Sequence, residues 1–294
     1  MTNPDRSPLT HIPTAGEMYI GRERRKLKML RMWARYWLRR PFYAGQARRL
    51  IAWLNAHPEW LPLFHENPVR MHAVIYRYLD KRFSPKERVD HIIETFEALA
   101  RILGPERVDT LVRDGTIEIT RLTDTLTLNL NLNVIDFLEG YFSVNFQDGT
   151  DKHYYNASFG MVDGRMLIAS LQGPKGDDAQ ELVKKLTKEL HGYRPMFLLV
   201  DALKMTAALW GLDLLGIPYK DQVKIRLHGS KKVFFNYDES WQENGGEREG
   251  AYWRLPTTVE RRPLEDIQSK KRSMYRRRYE MLDRLTADMK ERIG

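Results

Sequence analysis

The chain has 294 residues, 42% of them hydrophobic and 30% charged, which is enough to bury a core, and its formal net charge is +9. It contains no cysteine, so disulfides, cysteine zinc ligands and thiol nucleophiles are excluded. No run approaches the roughly 18 apolar residues of a membrane-spanning helix, and the first residues lack the basic-then-apolar order of a signal peptide, so we expect a cytoplasmic protein.

Proline, threonine and asparagine are frequent in residues 1–17, which predicts a mobile tail. From Arg22 to Arg39 the pattern becomes helical, because Leu27, Leu30, Trp33 and Trp37 recur every three or four residues. A neighbouring stripe is cationic and consists of Arg24, Lys28, Arg31, Arg35 and Arg39. The pattern predicts an amphipathic basic helix that ends at Pro41.

Residues 21–49 contain eleven Lys/Arg and one Glu, a local net charge of +10. Residues 270–294 also carry an excess, with nine Lys/Arg against four acids. The segment 22–49 has two interpretations, which the sequence leaves open. It is either a surface helix that packs on the protein through its Leu and Trp residues, or a helix lying on an anionic membrane surface.

Three shorter helical patterns follow, at 44–56, 67–81 and 84–103, the last opened by the capping signal Ser84-Pro85. The region 18–105 is therefore predicted to be helical. His65, Glu66 and His72 are the nearest approach to a metal-binding set, but Pro68 interrupts them and no third well-spaced ligand follows. We expect no metal.

Beyond Gly104-Pro105 the period changes to that of strands. The predicted strands are 116–120, 126–133, 140–147, 153–159 and 166–171, and their short Asp/Gly/Asn connections require antiparallel neighbours. Leucines occupy one face of the second strand, whereas Thr127, Asn129, Asn131 and Asn133 occupy the other. This split predicts a meander whose sheet is packed on one side only.

The pattern then returns to helices at 177–192 and 197–215, followed by strands at 223–227 and 232–235, a short helix at 238–244 and a terminal helix at 265–293. The predicted fold class is α+β. Its parts are a tail (1–17), a helical N-terminal region (18–105), an α+β core with a central antiparallel meander and packed helices (106–256), and a long basic C-terminal helix (257–294).

The most informative segment is RMLIASLQGPKGDDAQELVKKL, residues 165–186, a strand followed by a glycine-flanked turn and a helix. Glycines allow the backbone to approach a ligand, and a helix N-terminus offers free N–H groups to an anion. The predicted anion-binding residues are Leu171, Gln172, Gly173, Lys175 and Gly176. The alternative is an ordinary turn, since Asp177 and Asp178 would repel an anion at the helix start.

The order of these elements, a meander whose last strand meets a Gln-Gly-x-x-Gly turn and a helix, resembles the core of the GNAT-like N-acyltransferases. This resemblance implies that the turn holds the pyrophosphate of acyl-CoA. The spacing places Pro174 and Lys175 inside the motif of that family, and Asp178 stands where a small residue is usual.

Four longer strings, LIASLQG, LTKELHGYRP, NYDESWQENGG and KKRSMYRRRYEML, resemble the VirK/YbjX family of Gram-negative bacteria. That resemblance covers most of the chain. It implies a role in envelope adaptation, virulence or resistance to antimicrobial peptides, with a location in the cytoplasm or at the periphery of the inner membrane. It implies no catalytic residue.

An acyl transfer from acyl-CoA or an acyl-carrier-protein thioester needs a general base, for which we select Glu139 beside a predicted strand. Its alternative role is that of a solvated turn acid. Tyr237 is the candidate acid for the leaving thiolate, or else a packing residue. Arg194 is the candidate anchor for a phosphate or carboxylate, or else one of the cations that favour a helix C-terminus.

The rival hypothesis is a non-enzymatic protein that docks on anionic lipid or an acidic partner through its basic termini. Nucleic acid ranks lowest among the partners, because the chain lacks a helix-turn-helix, RNA-recognition or zinc-finger pattern. Oligomeric state is left open by the sequence.

Overall fold

A computed structural model describes residues 4–19, 26–148, 153–176, 178–225 and 235–294, without the side chains of Lys26 and His153. The α-helices are α1 Ala15–Tyr19, α2 Lys26–Ala56, α3 Leu61–Glu66, α4 His72–Ile75, α5 Pro85–Asp114, α6 Ala179–Glu189, α7 Pro195–Trp210, α8 Tyr237–Glu243 and α9 Ser269–Ile293. The strands are β1 Thr116–Arg121, β2 Leu126–Leu132, β3 Phe142–Asp148, β4 His153–Val162, β5 Arg165–Gln172, β6 Leu214–Gly216, β7 Glu247–Glu249 and β8 Tyr252–Leu255. The α+β class with N-terminal helices and a long C-terminal helix is confirmed.

All eight strands form one sheet in the order β1-β2-β3-β4-β5-β6-β8-β7. The first five are consecutive antiparallel neighbours, which confirms the predicted meander. Strand β6 then pairs in parallel with β5, and α6 and α7 form the crossover between them. The sheet therefore changes from antiparallel to parallel pairing directly beside the strand that carries the glycine turn.

Both faces of the sheet are buried, so the prediction of a sheet packed on one side was wrong. Leu128 and Leu130 are fully buried on one face, and Asn129 and Asn131 on the other are at most 4% exposed. The polar residues face one another across the strands in two rows, Asn129–Asn145–Asn156–Gln172 and Asn131–Ser143–Ser158–Ser170. Alternation in the sequence identified the two faces correctly, but polarity did not mean exposure to solvent.

Helix α2 continues through Pro41 to Ala56, so the prediction that Pro41 ends the helix was wrong. Proline removes one backbone donor, which would otherwise bond the carbonyl four residues earlier, at Trp37. Both Pro41 and Trp37 are exposed, so water can satisfy that carbonyl. The following turns are held by the buried side chains of Tyr43, Leu50 and Leu54, and this tertiary packing outweighs the local cost.

Helix α5 begins at the predicted cap, where Ser84 and Glu87 form a reciprocal capping box. It is kinked at Gly104 (φ 74°) and runs on to Asp114, and β1 then begins at Thr116, where the first strand was predicted. The helix thus crosses the predicted 105/106 boundary.

Part of the N-terminal tail packs on the protein, and the mobility predicted for residues 1–17 stays a prediction. Ile12 and Ala15 are buried, and Met18 and Tyr19 continue this contact through α1. The Tyr36 hydroxyl donates to the Pro13 carbonyl (2.7 Å).

Two further predictions differ from the structure. Residues 67–81 form a 3₁₀ turn (Pro68–Met71) and the single turn α4 rather than one helix. Strands were predicted at 223–227 and 232–235. Residues 223–225 form no strand, and residues 226–234 lie outside the described residues.

Candidate functional site

The turn after β5 needs glycine at two positions for different reasons. A Cβ at residue 173 would lie 3.2 Å from the ring of Tyr155, so a side chain there would push against a neighbouring strand. Gly176 has φ 105°, a conformation that other residues rarely adopt. The turn is therefore one that larger residues would disturb, and the approach of a ligand to its backbone stays a prediction.

Helix α6 begins at Ala179, and Asp178 precedes it with an exposed side chain that accepts no capping hydrogen bond from the described first turn. The Asp178 side chain therefore does not cap the N–H groups at the start of this helix. Asp177 lies outside the described residues. Lys175 is exposed on the turn and lines two of the cavities around it.

Among the described residues, no strand pairs with the last residues of β5 on the side away from β4. Its parallel pairing with β6 ends at Ile168, opposite Gly216, and β6 then leaves the sheet. The side chain of Tyr237, from α8, occupies the edge further along: its hydroxyl donates to the Leu171 carbonyl and accepts from the Leu171 N–H, both at 3.0 Å. A side chain thus replaces a neighbouring strand at this point.

Glu139 lies beside this edge, in the 3₁₀ turn Phe137–Glu139 before β3, and is only 3% exposed. Its Oε2 accepts a hydrogen bond from Gln172 Nε2 at 2.6 Å, and its Oε1 lies 2.8 Å from Lys224 Nζ. Burial raises the pKa of the Glu139 carboxyl above its ordinary value, and the Lys224 ammonium opposes this shift without cancelling it. The interpretation of Glu139 as a solvated turn acid does not fit this burial.

Tyr237 is also buried, and burial together with the negative charge of Glu139 raises the pKa of its hydroxyl. The group therefore remains protonated at neutral pH and acts as a donor. The sequence does not show that Glu139 and Tyr237 lie near each other. In the structure both residues line the same cavity.

That cavity, which we call the edge cavity, has a volume of about 520 Å³. It is lined by residues of β4, β5, the glycine turn, α6, α7, α8, the 3₁₀ turn before β3 and the segments next to α8 and after β6: Glu139, Tyr155, Leu171, Gln172, Gly173, Pro174, Lys175, Val183, Met196, Gln222, Lys224, Phe235 and Tyr237. A second cavity of about 350 Å³ is lined by the turn together with Ile135, Tyr154 and Asn156. The turn predicted to bind a ligand therefore separates two cavities.

Arg194 does not line the edge cavity. It lies at the start of α7 and lines a neighbouring cavity of about 850 Å³ with Lys188 and His191. The two cavities share Tyr155, Val183 and Met196 as walls. The predicted site residues thus fall in adjoining cavities, with the carboxyl and the phenol in one and the guanidinium in the other.

Lys224 and Gln172 are the direct partners of Glu139, and sequence reasoning missed Lys224. It belongs to no motif, and it reaches Glu139 across 85 residues of chain, so only the fold shows the contact. Near Tyr237, the Asp238 carboxylate accepts hydrogen bonds from Trp253 Nε1 and Tyr219 N. His228 and the His153 side chain lie outside the described residues.

The N-terminal part of α2 presents a second candidate surface. Six large hydrophobic side chains on it are exposed: Leu27, Leu30, Trp33, Trp37, Leu38 and Phe42, with exposures from 40% to 78%. The exposed cations Lys28, Arg31, Arg35 and Arg39 lie among them. Leu27 is 77% exposed, whereas Trp33 and Trp37 are 40% and 51% exposed, so the two interpretations of this segment both stay open.

None of the helices in the described part of the chain is long and apolar enough to cross a membrane.

Comparison with known proteins identifies relatives over nearly the whole chain. The family model described as "Protein of unknown function (DUF535)" matches residues 25–291. An uncharacterized protein of Haemophilus influenzae is 44% identical over 95% of this chain and 97% of its own length. "Membrane protein LapB" of Mannheimia haemolytica is 35% identical over 65% of this chain and 84% of its own, and the uncharacterized protein YbjX of Escherichia coli is 24% identical over 87% and 84%. No solved structure matches.

Proposed function

Since this chain belongs to the DUF535 family, whose members include YbjX and whose function is unknown, we propose that it is an acyltransferase acting in bacterial envelope adaptation. The donor is an acyl thioester of coenzyme A or of an acyl carrier protein, and the acceptor carries an amine or hydroxyl. The envelope role is supported by the family resemblance and by the name of the Mannheimia relative, a membrane protein.

One observation carries the proposal: Glu139, a buried carboxyl whose pKa is raised, lines a cavity beside the last residues of β5. A general base acts best when its pKa lies near the working pH, and burial is the usual means of raising that of a carboxyl. The cavity brings this base within reach of a bound substrate, because it is lined by both the carboxyl and the glycine turn.

The edge of β5 supports the comparison with GNAT-like acyltransferases. In such enzymes a gap between two parallel strands admits the pantetheine arm of the donor. Here β5 and β6 are parallel, their pairing ends at Ile168, and the edge cavity lies along Leu171 and Gln172 beyond that point. The turn at Gly173 and Gly176 follows directly, as the resemblance requires.

In the proposed reaction Glu139 removes the proton from the acceptor amine or hydroxyl as that atom attacks the thioester carbonyl carbon. The new C–N or C–O bond forms, the C–S bond breaks, and the thiolate leaves with the electron pair. Gln172 and Lys224 hold the two carboxylate oxygens of Glu139 in place. The thiolate must then receive a proton.

Lys224 is the better placed donor of that proton. The Tyr237 hydroxyl has one proton, and it is already donated to the Leu171 carbonyl. The Lys224 ammonium has three protons and lines the same cavity with a third of its side chain exposed. We therefore assign the donor role to Lys224, and Tyr237 holds the end of β5 at the cavity wall.

Calorimetric titration of the purified protein with acetyl-CoA and with a longer acyl-CoA tests the proposal, with thermal stabilisation as a second readout. We expect binding of at least one donor and release of free thiol when an amine acceptor is added. Absence of heat, stabilisation and thiol release with both donors and with an acyl-carrier-protein thioester would overturn the proposed function.

A second function is favoured by the exposed surface of α2, namely docking on anionic membrane lipid. Apolar side chains such as Leu38 (74% exposed) and Phe42 (78%) are costly to leave in water, and insertion to headgroup depth removes them from it. Each neighbouring cation adds about 1 kcal/mol at an anionic surface. Docking of this kind is compatible with acyl transfer and does not require it.

Co-sedimentation with vesicles of phosphatidylcholine alone or mixed with phosphatidylglycerol tests the docking surface at low and high salt. We expect binding to anionic vesicles that weakens with salt, and a loss of about tenfold or more in Leu38→Ser/Phe42→Ser. Arg121→Gln/Lys290→Gln removes charge from β1 and α9 and serves as the control. Equal binding to both vesicle types, or an unaffected α2 variant, would count against docking through α2.

A further inference from the structure

The cavity of about 850 Å³ that contains Arg194, which we call the basic cavity, is lined by α6, the start of α7 and the N-terminal half of α9. Among the described residues its lining includes six basic ones, Lys184, Lys188, His191, Arg194, Lys270 and Arg277, and no acidic one. These residues come from three separate parts of the chain. The concentration of one sign of charge in a concave site is the arrangement that favours an anionic ligand.

The cations of this cavity have no ion-pair partner among the described residues. Lys185, by contrast, is the neighbour of Lys184 on α6 but points elsewhere and pairs with Glu189 at 3.9 Å. Lys184 and Lys188 are four residues apart on one helix and therefore repel each other. Among the described residues, the basic side chains inside the cavity therefore lack an acidic partner, whereas Lys185 outside it has one.

The positive charge around this cavity also lowers the pKa of His191. Its pKa is lowered by burial and by Arg277, Arg278 and Arg284, which outweigh the opposing effect of Glu280. The guanidinium of Arg278 is held between the rings of Tyr193 and Tyr275, with centroid distances of 4.7 and 4.3 Å, and donates to the His191 carbonyl. This contact fixes α9 against the segment that carries His191 and Arg194.

The remaining walls of the basic cavity are apolar or aromatic. Met196, Phe197 and Met274 face the cations, and Tyr155 and Val183 continue toward the edge cavity. A simple inorganic anion would leave these walls without a partner. The lining fits a ligand that combines phosphate groups with an aromatic or apolar body.

We propose that the basic cavity binds the phosphate-bearing nucleotide end of a coenzyme-A-type acyl donor. The inference rests on the proposed function for the identity of the donor, and it specifies free coenzyme A rather than a carrier protein. The shared walls at Tyr155, Val183 and Met196 place the nucleotide end next to the cavity that contains Glu139. Phosphate recognition is thereby assigned to α6, α7 and α9 rather than to the turn at Gln172–Gly176.

Calorimetric titration with adenosine 3′,5′-bisphosphate tests this assignment, because this probe has the nucleotide phosphates but no thiol arm. Coenzyme A and pantetheine are titrated in parallel. We expect the bisphosphate and coenzyme A to bind with a salt-dependent affinity and pantetheine to bind far more weakly. Lys188→Ala/Arg277→Ala should weaken both phosphate ligands at least tenfold, and its melting curve shows whether it folds.

One variant serves as a matched control. Lys185→Ala removes a cation from the same helix outside the cavity, so it should bind the bisphosphate as the native protein does. Failure of the bisphosphate to bind, or equal binding by Lys188→Ala/Arg277→Ala, would overturn the inference.

The outcomes distinguish this inference from the proposed function. Thiol release from a carrier-protein thioester without bisphosphate binding would leave acyl transfer standing and reject the nucleotide site. Bisphosphate binding that depends on Lys188 and Arg277, with no thiol release from any donor, would leave the nucleotide site standing and reject acyl transfer.

Discussion

Helix α2 and the cavities beside β5 use basic residues in opposite ways. On α2 the cations stand among exposed apolar side chains on a convex helix, where each charge is solvated and screened by salt. Beside β5 the charged groups line cavities, and Glu139 is buried against Lys224. A charge that is removed from water interacts much more strongly with its neighbours.

This difference has a functional consequence. The two proposals assign these regions different tasks: α2 docks on a large charged surface, and the cavities hold a small molecule and alter its reactivity. The two functions should therefore be separable by substitution. Four predictions follow from that separation, beginning with the largest effect.

The substitution Lys224→Met should lower thioester cleavage about 100-fold, because it removes the proposed proton donor from the cavity. It also leaves Glu139 without its cationic partner, which favours the protonated carboxyl. Thiol release measured with a chromogenic reagent reports the loss. Lys220→Met, four residues earlier, is the matched control, and equal rates in the two variants would remove Lys224 from the mechanism.

Neutralising α2 should affect membrane association and leave the chemistry unchanged. Arg31→Gln/Arg35→Gln is expected to lower binding to anionic vesicles about tenfold at low salt, since each cation contributes about 1 kcal/mol there. Thiol release should stay at the native rate. If the two activities fall together in this variant, the helix and the cavities are coupled and the comparison fails.

Filling the space at residue 173 should weaken donor binding. Gly173→Val places its Cβ 3.2 Å from the Tyr155 ring, on a wall shared by the edge and basic cavities. We expect about a tenfold lower affinity for acyl-CoA and an overpacking cost of about 1–3 kcal/mol, measured by calorimetry and thermal unfolding. Gly45→Ala on α2, where a Cβ meets no atom within 4 Å, should bind normally and unfold at the native temperature or above.

The smallest effect concerns stability and pH. The pKa of Glu139 is raised in the folded protein, so its contribution to stability is present below the ordinary glutamate pKa of about 4.3 and is lost as the pH rises through the raised value. Glu139→Gln removes this dependence. Its melting temperature relative to the native protein should therefore increase between pH 4 and pH 7, whereas the exposed control Glu118→Gln should show no such trend.

The sequence predicted those parts of the fold whose pattern is local and long. The five meander strands alternate over six or more residues, and Ser84 caps α5 with residues next to it in the chain. Strands β6 and β7 have only three residues, too few for a periodic signal, and their pairing depends on distant segments. Helix α2 passes through Pro41 because tertiary packing further along outweighs the local rule.

The candidate site was predictable only in part for the same reason. Gly173 and Gly176 indicate a turn that requires glycine, and Glu139 was selected because it lies beside a predicted strand. Its burial could not be read from the chain, because that depends on Gln172 and Lys224, which approach from other elements. Of the basic residues that line the basic cavity, only Arg194 was selected from the sequence as a candidate anchor. The others could not be grouped with it, because they are dispersed over about 90 residues of the chain.

The central claim is that Glu139 is the base of an acyl transfer, and the most direct test compares native protein with Glu139→Gln. The measurement is thiol release from a saturating acyl-CoA with an amine acceptor, together with the affinity for the donor. We predict a loss of at least 100-fold in rate with donor affinity within about threefold of native, because the amide keeps the shape but cannot accept the proton. Equal rates of thiol release in the two proteins would contradict the account.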